Sequence, residues 1–249
     1  MIAAPGPIAH AARSTASLPP VPDAYRGVWT RSLLQTPDLR DDTTFVRWMQ
    51  LGRWHVDLRI PAVALVTRAA LPLAQCSAGQ REILRRGFCG VTEVTASKTG
   101  EVCTWHRIVD YQPPGPHPDV GHMVFESPDR VVETGMHGIY REVWHRLADS
   151  TGRLIALAKP ARADGQPCAR LFVVGKYLMR VEPHDLHGPA FEILFGPVES
   201  GYWHIQQLTR PELEGNRLRF AATRNSATTA VVGGDFGIGD WPILEWGDG

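Results

Sequence analysis

The chain has no surplus charge of either sign: 26 Lys and Arg stand against 26 Asp and Glu in 249 residues. A basic face for nucleic acid or an anionic membrane surface is therefore not expected. Long apolar runs are missing too, and nothing approaches the ~20 residues of a membrane-spanning helix. Cysteine is scarce. Cys76, Cys89, Cys103 and Cys168 show neither a C-x-x-C nor a Cys/His metal spacing, so no metal site is expected, no disulfide is demanded, and a reducing, cytoplasmic setting is the default. Asn216 and Asn225 open no glycosylation sequon. The serine elbow G-x-S-x-G, the zinc-protease H-E-x-x-H and the phosphate loop G-x-x-x-x-G-K-S/T are all absent. Glu142 to His145 has the E-x-x-H spacing of di-iron bundles, but that motif needs a helix, and on a strand the two side chains point apart.

What is present suits many short strands. Hydrophobic residues make up 43% of the chain, enough for a sizeable core, and 20 prolines and 24 glycines punctuate it throughout. The first 24 residues are rich in Ala, Pro and Ser. Pro5, Pro7, His10 and Arg13 interrupt any signal-peptide core, so this segment is expected to be a mobile arm. Strand patterns cover 25–34, 43–51, 54–60, 91–97, 102–111, 121–127, 130–135 and 139–147. Hairpin-sized gaps separate them, which suggests an antiparallel barrel or sandwich. One helix is expected: Ser77 and Gln80 form a capping box, Arg85 and Arg86 suit the last turn, and Gly87 sits where a C-terminal cap belongs. After a junction at "LADSTGR", 147–153, more strand patterns follow at 153–158, 168–174, 177–182, 190–196, 201–208, 217–223 and 242–246. The expected division is an arm at 1–24, a first unit at 25–149 and a smaller second unit at 150–249. A single larger barrel is the alternative. "ARADGQP" and "RNSATTAVVGGDFGIGD" read as loops.

Side chains alternate along a strand, so hairpin register decides which residues share a face. In "WMQLGRWHVDLRIP", a turn at Gly52-Arg53 sets Gln50 opposite His55, Trp48 opposite Asp57 and Val46 opposite Arg59. Leu51, Met49, Trp54, Val56 and Leu58 fall on the other face. Turns at Pro128-Asp129 and Met136-His137 give a second such pattern. His122, Glu126, Glu133, Tyr140, Glu142 and Trp144 share one face, and Met123, Phe125, Val132, Thr134, Ile139 and Val143 share the other. Each hairpin thus has an aliphatic face and a mixed face of charges and large aromatics. The mixed face is either a solvated exterior or the wall of a ligand pocket.

The order "YRGVW", "WMQLGRWHVDLRIP", "GFCGVTEV", "TWHRIVDYQPP", "VETG", "YREVW", "LFVVGKY" resembles a family of two-domain lipocalin-like proteins of bacteria and fungi. That family includes a yeast casein-kinase interactor. The resemblance runs from about Tyr25 to Phe195. Arg59 corresponds to an Arg in an "LR-P" setting, Glu133-Thr134-Gly135 to an "E-T-G". Tyr140, Arg141, Glu142 and Trp144 correspond to an aromatic-Arg-Glu-x-Trp run. It implies a mostly β protein of two antiparallel calycin-type barrels packed together, and it favours the mixed face as the inside. It implies no established reaction.

With that face inward, Glu133 and Glu142 would be an acid/base pair and Tyr140 a donor. Arg59 would orient an anionic or carbonyl oxygen, and Trp48 and Trp144 would be stacking walls. Gln50, His55, Asp57 and His122 would line the same space, with His106 and Arg107 as secondary candidates. The expected function is a cofactor-independent lyase- or isomerase-type enzyme acting on a small, partly apolar molecule in the first barrel, in specialised metabolism. Alternatives are a carrier or sensor of a small ligand, a haem-binding barrel drawing on ten His and five Met, and a protein-interaction scaffold. Self-association as a homodimer stays open.

Overall fold

A computed structural model describes residues 18–62, 85–110, 117–159, 169–183, 191–209, 213–235 and 239–247. The chain forms two closed antiparallel barrels. The first comprises β1 (Gly27–Gln35), the short β2 (Arg40–Asp41), β3 (Phe45–Gln50), β4 (Trp54–Ile60), β5 (Arg86–Ala96), β6 (Glu101–Asp110), β7 (Asp119–Ser127), β8 (Arg130–Gly135) and β9 (Arg141–Arg146). Pairing of β1 with β9 closes the ring through β3 to β8, and β2 pairs with the far end of β1 on the same edge as β3. The second comprises β10 (Leu154–Ala158), β11 (Arg170–Val174), β12 (Tyr177–Pro183), β13 (Phe191–Glu199), β14 (Tyr202–His204), β15 (Gln207–Leu208), β16 (Arg217–Arg224), β17 (Thr229–Gly234) and β18 (Gly239–Gly247). It closes through β12 and β13. Closure leaves no unpaired edge in either ring, which is how barrels avoid edge-to-edge association. Among the described residues, no helix is long and apolar enough to cross a membrane.

The aliphatic face of β3 and β4 points outward, and it is still buried. Met49, Leu51, Val56, Leu58 and Ile60 pack against Phe172, Met179, Val181, Ile193 and Phe195 of the second barrel in one continuous core. The mixed face of the same strands, carrying Trp48, Gln50, His55 and Asp57, therefore turns inward, and all four residues are buried. Gly87 serves this seam. A Cβ there would lie 2.6 Å from both the Asp57 carbonyl oxygen and Ile193 Cδ1. The interior of the second barrel is apolar, filled by Leu171, Leu178, Leu194, Trp203, Phe220 and Trp241.

One carboxylate pins the two barrels. The Gly52-Arg53 turn aims three backbone N–H groups at Glu245 of β18. Gly52 donates to Oε2 at 2.8 Å, while Arg53 and Trp54 donate to Oε1 at 2.7 and 2.8 Å. Burial pushes this carboxyl up, and the three N–H groups partly offset that. Glu245→Gln turns an acceptor into a donor against at least one of those N–H groups. It should cost about 1.5–3 kcal/mol, read by urea unfolding. A variant as stable as the parent would show that the apolar seam alone holds the barrels together.

Four expectations are corrected. Residues 18–24 are no free arm: Val21 is buried, its N–H donates to the Gly52 carbonyl at 2.6 Å, and a 3-10 turn at Asp23–Tyr25 tucks Tyr25 into the base of the first barrel. The expected helix falls mostly outside the described residues, but its proposed end, Arg86 and Gly87, lies in β5. "TAVVGG" is strand β17, not loop, because its β-branched residues complete the second ring between β16 and β18. Register also shifts in the later hairpins. A bulge at Glu126 sets Glu133 opposite Met123, and a wider β8–β9 loop sets Glu133 opposite Glu142.

Candidate functional site

The two ends of the first barrel differ. At the base, Tyr25, Trp29, Phe125 and Val131 fill the interior, with Tyr25 edge-on to Phe125 at 4.9 Å. At the opposite end a cleft opens. Its walls are Trp48, Phe88, Trp105 and Trp144, and its charged lining is Asp57, Arg59, Asp119 and Glu133. The free volume is about 10 Å³, room for one oxygen-sized guest such as a water.

Glu133 is the buried acid of this cleft. Tyr140 Oη donates to its Oε1 at 2.7 Å and Trp144 Nε1 to its Oε2 at 3.1 Å. Burial pushes its carboxyl well up, and the facing Glu142 pushes further, against the opposing hydrogen bond from Tyr140. Glu133 therefore holds a proton where ordinary carboxyls have lost theirs. Tyr140 is raised in turn, by burial and then by Glu133, so it stays a neutral donor.

Two glycines make room for this arrangement. A Cβ on Gly135 would lie 2.3 Å from the Tyr140 ring and 2.4 Å from the Gly138 carbonyl oxygen, so Tyr140 reaches Glu133 only by crossing a bare backbone. A Cβ on Gly121 would lie 2.7 Å from Glu133 Oε1. Gly135→Ala should displace the Tyr140 ring and break its bond to Glu133. The check is ultraviolet titration: Gly135→Ala should gain one tyrosine that ionises in the ordinary range, a gain that Tyr140→Phe, with no hydroxyl there, does not show. A Tyr140 still bonded to Glu133 in the variant would refute it.

The other charged groups at and beside the cleft are paired. Arg59 donates to Asp57 through Nε at 2.7 Å and Nη2 at 3.3 Å. Burial alone would favour a neutral Arg59, but Asp57 foremost holds it charged. Arg107 donates twice to Asp119 Oδ2, at 3.2 and 2.6 Å, and once to Asp110 at 2.9 Å, and its guanidinium lies 3.7 Å over the Phe88 ring. Arg31 bridges Glu142 at 2.6 Å and Asp41 at 2.7 Å.

The structure thus brings Trp48, Asp57, Arg59, Glu133 and Trp144 to one cleft, with Tyr140 bonded to its acid. Glu142 stands one layer aside, engaged by Arg31. Trp48 and Trp144 form no parallel slot. They meet edge-to-face at 5.7 Å and 73°, and Trp105 meets Trp48 at 5.6 Å and 78°, so the rings pack on each other.

Gln50 and His55 lie deeper. The Gln50 amide nitrogen donates to the Leu51 and Trp54 carbonyls, and its oxygen accepts from Trp48 Nε1 and Thr92 Oγ1. Thr92 has spent its proton there, so it accepts from His55 Nδ1 at 3.0 Å. His55 is therefore a neutral Nδ1–H tautomer, and burial lowers it to about 3. Two histidines leave the interior altogether. The Glu126 bulge turns His122 outward to Ser97 and Thr99. His106 pairs with Glu93 on the outer face, and a bulge at Ile108 moves Asp110 to the side of Arg107.

Asp119, Phe88, Trp105 and Arg31 were not among the sequence candidates. Phe88 and Trp105 follow from the inward parity of "GFCG" and "TWHR". Asp119 carries no local signal beyond opening a strand. Among the described residues no three His, Cys, Asp or Glu stand together as a metal site.

No known family model matches the chain, and no curated protein matches it in sequence. Among solved structures it is similar to the uncharacterized protein YLR301w from Saccharomyces cerevisiae. The TM-score is 0.58 at 14% identity, over 88% of this chain and 98% of that one. At that identity the likeness shows the two-barrel fold alone.

Proposed function

We propose that the open end of the first barrel is the active site of an acid–base enzyme of the lyase or isomerase type, acting on a small organic molecule. Glu133 carries the proposal: it is a protonated carboxyl held by Tyr140 and Trp144 in a cleft it shares with two ion-paired carboxylates. Carboxyls in unlike environments are how one site holds both an acid and a base. Glu133 gives the proton. Asp119 takes one, because both of its bonds from Arg107 land on Oδ2 and leave Oδ1 outside the pair. Glu142 acts through Glu133, raising its hold on the proton. The motif order that resembles the lipocalin-like family and the closed rings also support a place among calycin-type proteins.

Acid–base enzymes of this type exchange substrate C–H protons with solvent. Small keto acids, ketones and lactones incubated in deuterium oxide should show wash-in beside the carbonyl for at least one compound, followed by proton NMR. Glu133→Gln should slow that exchange about 10²–10⁴-fold. No exchange with any compound, or exchange unaltered in the variant, would favour a carrier or a scaffold.

A further inference from the structure

Arg59 is only half engaged. Nε and Nη2 face Asp57, while Nη1, at the other edge of the fork, makes no hydrogen bond among the described residues and belongs to a side chain lining the cleft. A guanidinium can bind carboxylates along two edges at once. Arg31 does so one layer away, with Nη1 on Glu142 and Nη2 on Asp41. Arg59 has the first of those two partners and lacks the second.

Glu133 completes the same picture. Each carboxyl oxygen has two acceptor positions. Tyr140 occupies one on Oε1 and Trp144 one on Oε2, which leaves a position on either oxygen for a proton. The cleft therefore offers two donors, a guanidinium edge and a carboxylic O–H, around a volume of about 10 Å³. The carboxylates on its wall are already matched, Asp57 by Arg59 and Asp119 by Arg107.

We propose that the cleft is an oxyanion seat: it receives one oxygen of a small organic carboxylate, between the free edge of Arg59 and the carboxyl of Glu133, with the rest of the molecule directed past Phe88 to the mouth. The inference rests on the acid–base reading and names its substrate class. Trp48, Trp105 and Trp144 line the cleft, and their apolar rings strengthen both donations.

Binding is coupled to a proton. The titratable and charged groups around Glu133 are Glu142 and Tyr140 on the β9 side, Asp119 on β7, Cys103 on β6, Tyr25 just before β1, and Arg59 with Asp57 on β4. Arg59 is the one cation among them, and the Tyr140 hydroxyl, which also favours a charged Glu133, is already spent on it. An incoming carboxylate is therefore accepted while Glu133 is protonated and repelled once it ionises. Affinity should be flat from above the range in which acetate itself protonates up to the point where Glu133 titrates, and fall about tenfold per pH unit beyond it.

Acetate is the probe, titrated into the full chain while the indole N–H signals of Trp48, Trp105 and Trp144 are followed by NMR. Saturable shifts that weaken with rising pH are expected. Glu133→Gln, a neutral donor of the same shape, should keep acetate binding and lose its pH dependence. Arg59→Gln should lose binding. Arg59→Lys keeps the charge beside Asp57 but not the second edge, and should weaken binding at least about tenfold even if the glutamine variant fails to fold. Absence of saturable shifts, pH-independent binding in the parent, or full binding by the lysine variant would each overturn the oxyanion seat. Deuterium wash-in without acetate binding would sink the seat and spare the enzyme. Acetate binding without wash-in would do the reverse.

Discussion

Arg31→Met should destabilise the protein by about 3–5 kcal/mol, the cost of removing one partner from a buried ion pair. The Arg31 side chain is 5% exposed, and the carboxylates it bridges belong to Glu142 at 6% and Asp41 at 15%. Methionine fills most of the volume and supplies no charge, so two carboxylates would face each other with Glu133 close behind. Asp41 has some insurance. Burial pushes its carboxyl up, but the Thr44 hydroxyl and the Thr43 and Thr44 backbone N–H groups outweigh this and hold it at about 2. Its contribution is present above the usual carboxylate range and is lost as pH falls toward that value. Glu142 has no comparable cradle and should account for most of the loss. Urea unfolding of the single variant and of Arg31→Met/Glu142→Gln tests this, since the double variant should recover a large part of the deficit. A single-variant loss below about 1 kcal/mol, the size of an exposed pair, would refute the assignment.

Glu133→Gln should separate chemistry from stability. Turnover should fall about 10²–10⁴-fold, while the pH dependence of folding becomes shallower. The native carboxyl is raised, so Glu133 contributes most below the usual carboxylate range. That contribution declines as pH rises from there to the native titration point, because ionisation is penalised in the fold and free in the unfolded chain. Glutamine removes this slope. It also loses an acceptor for either Tyr140 or Trp144, about 0.5–1.5 kcal/mol. The variant should therefore be slightly less stable than the parent in acid and equal or better in alkali, by thermal melts across pH. Parallel stability curves would mean that Glu133 is ionised in the native protein.

Legibility of the sequence depended on the turns. The β3–β4 hairpin has a tight turn and no bulge, and its pairs Gln50–His55, Trp48–Asp57 and Val46–Arg59 occur as read from alternation alone. The β7–β8 hairpin carries one extra residue, Glu126. Alternation cannot see it, so Met123 and Phe125 moved in and His122 moved out. The next loop was two residues longer than the shortest turn allows. That kept the faces of Glu133 and Glu142 but changed the partner from Tyr140 to Glu142. Gly87 looked like a helix cap because a cap and a close-packed seam both call for a missing Cβ. Trp48 and Trp144 were placed on the right face with the wrong geometry: composition says that rings are present, not whether they meet each other.

The outward aliphatic wall of the first barrel has a further consequence. Much of the cohesion of its β3–β5 side comes from its outer surface against the second barrel, so the upper interior is relieved of holding those strands together. Positions such as Asp57, Arg59, Asp119 and Glu133 can change identity without weakening the seam. A lineage carrying this architecture could exchange one chemistry for another while its scaffold stays the same. In that sense the second barrel confers evolutionary latitude on the first.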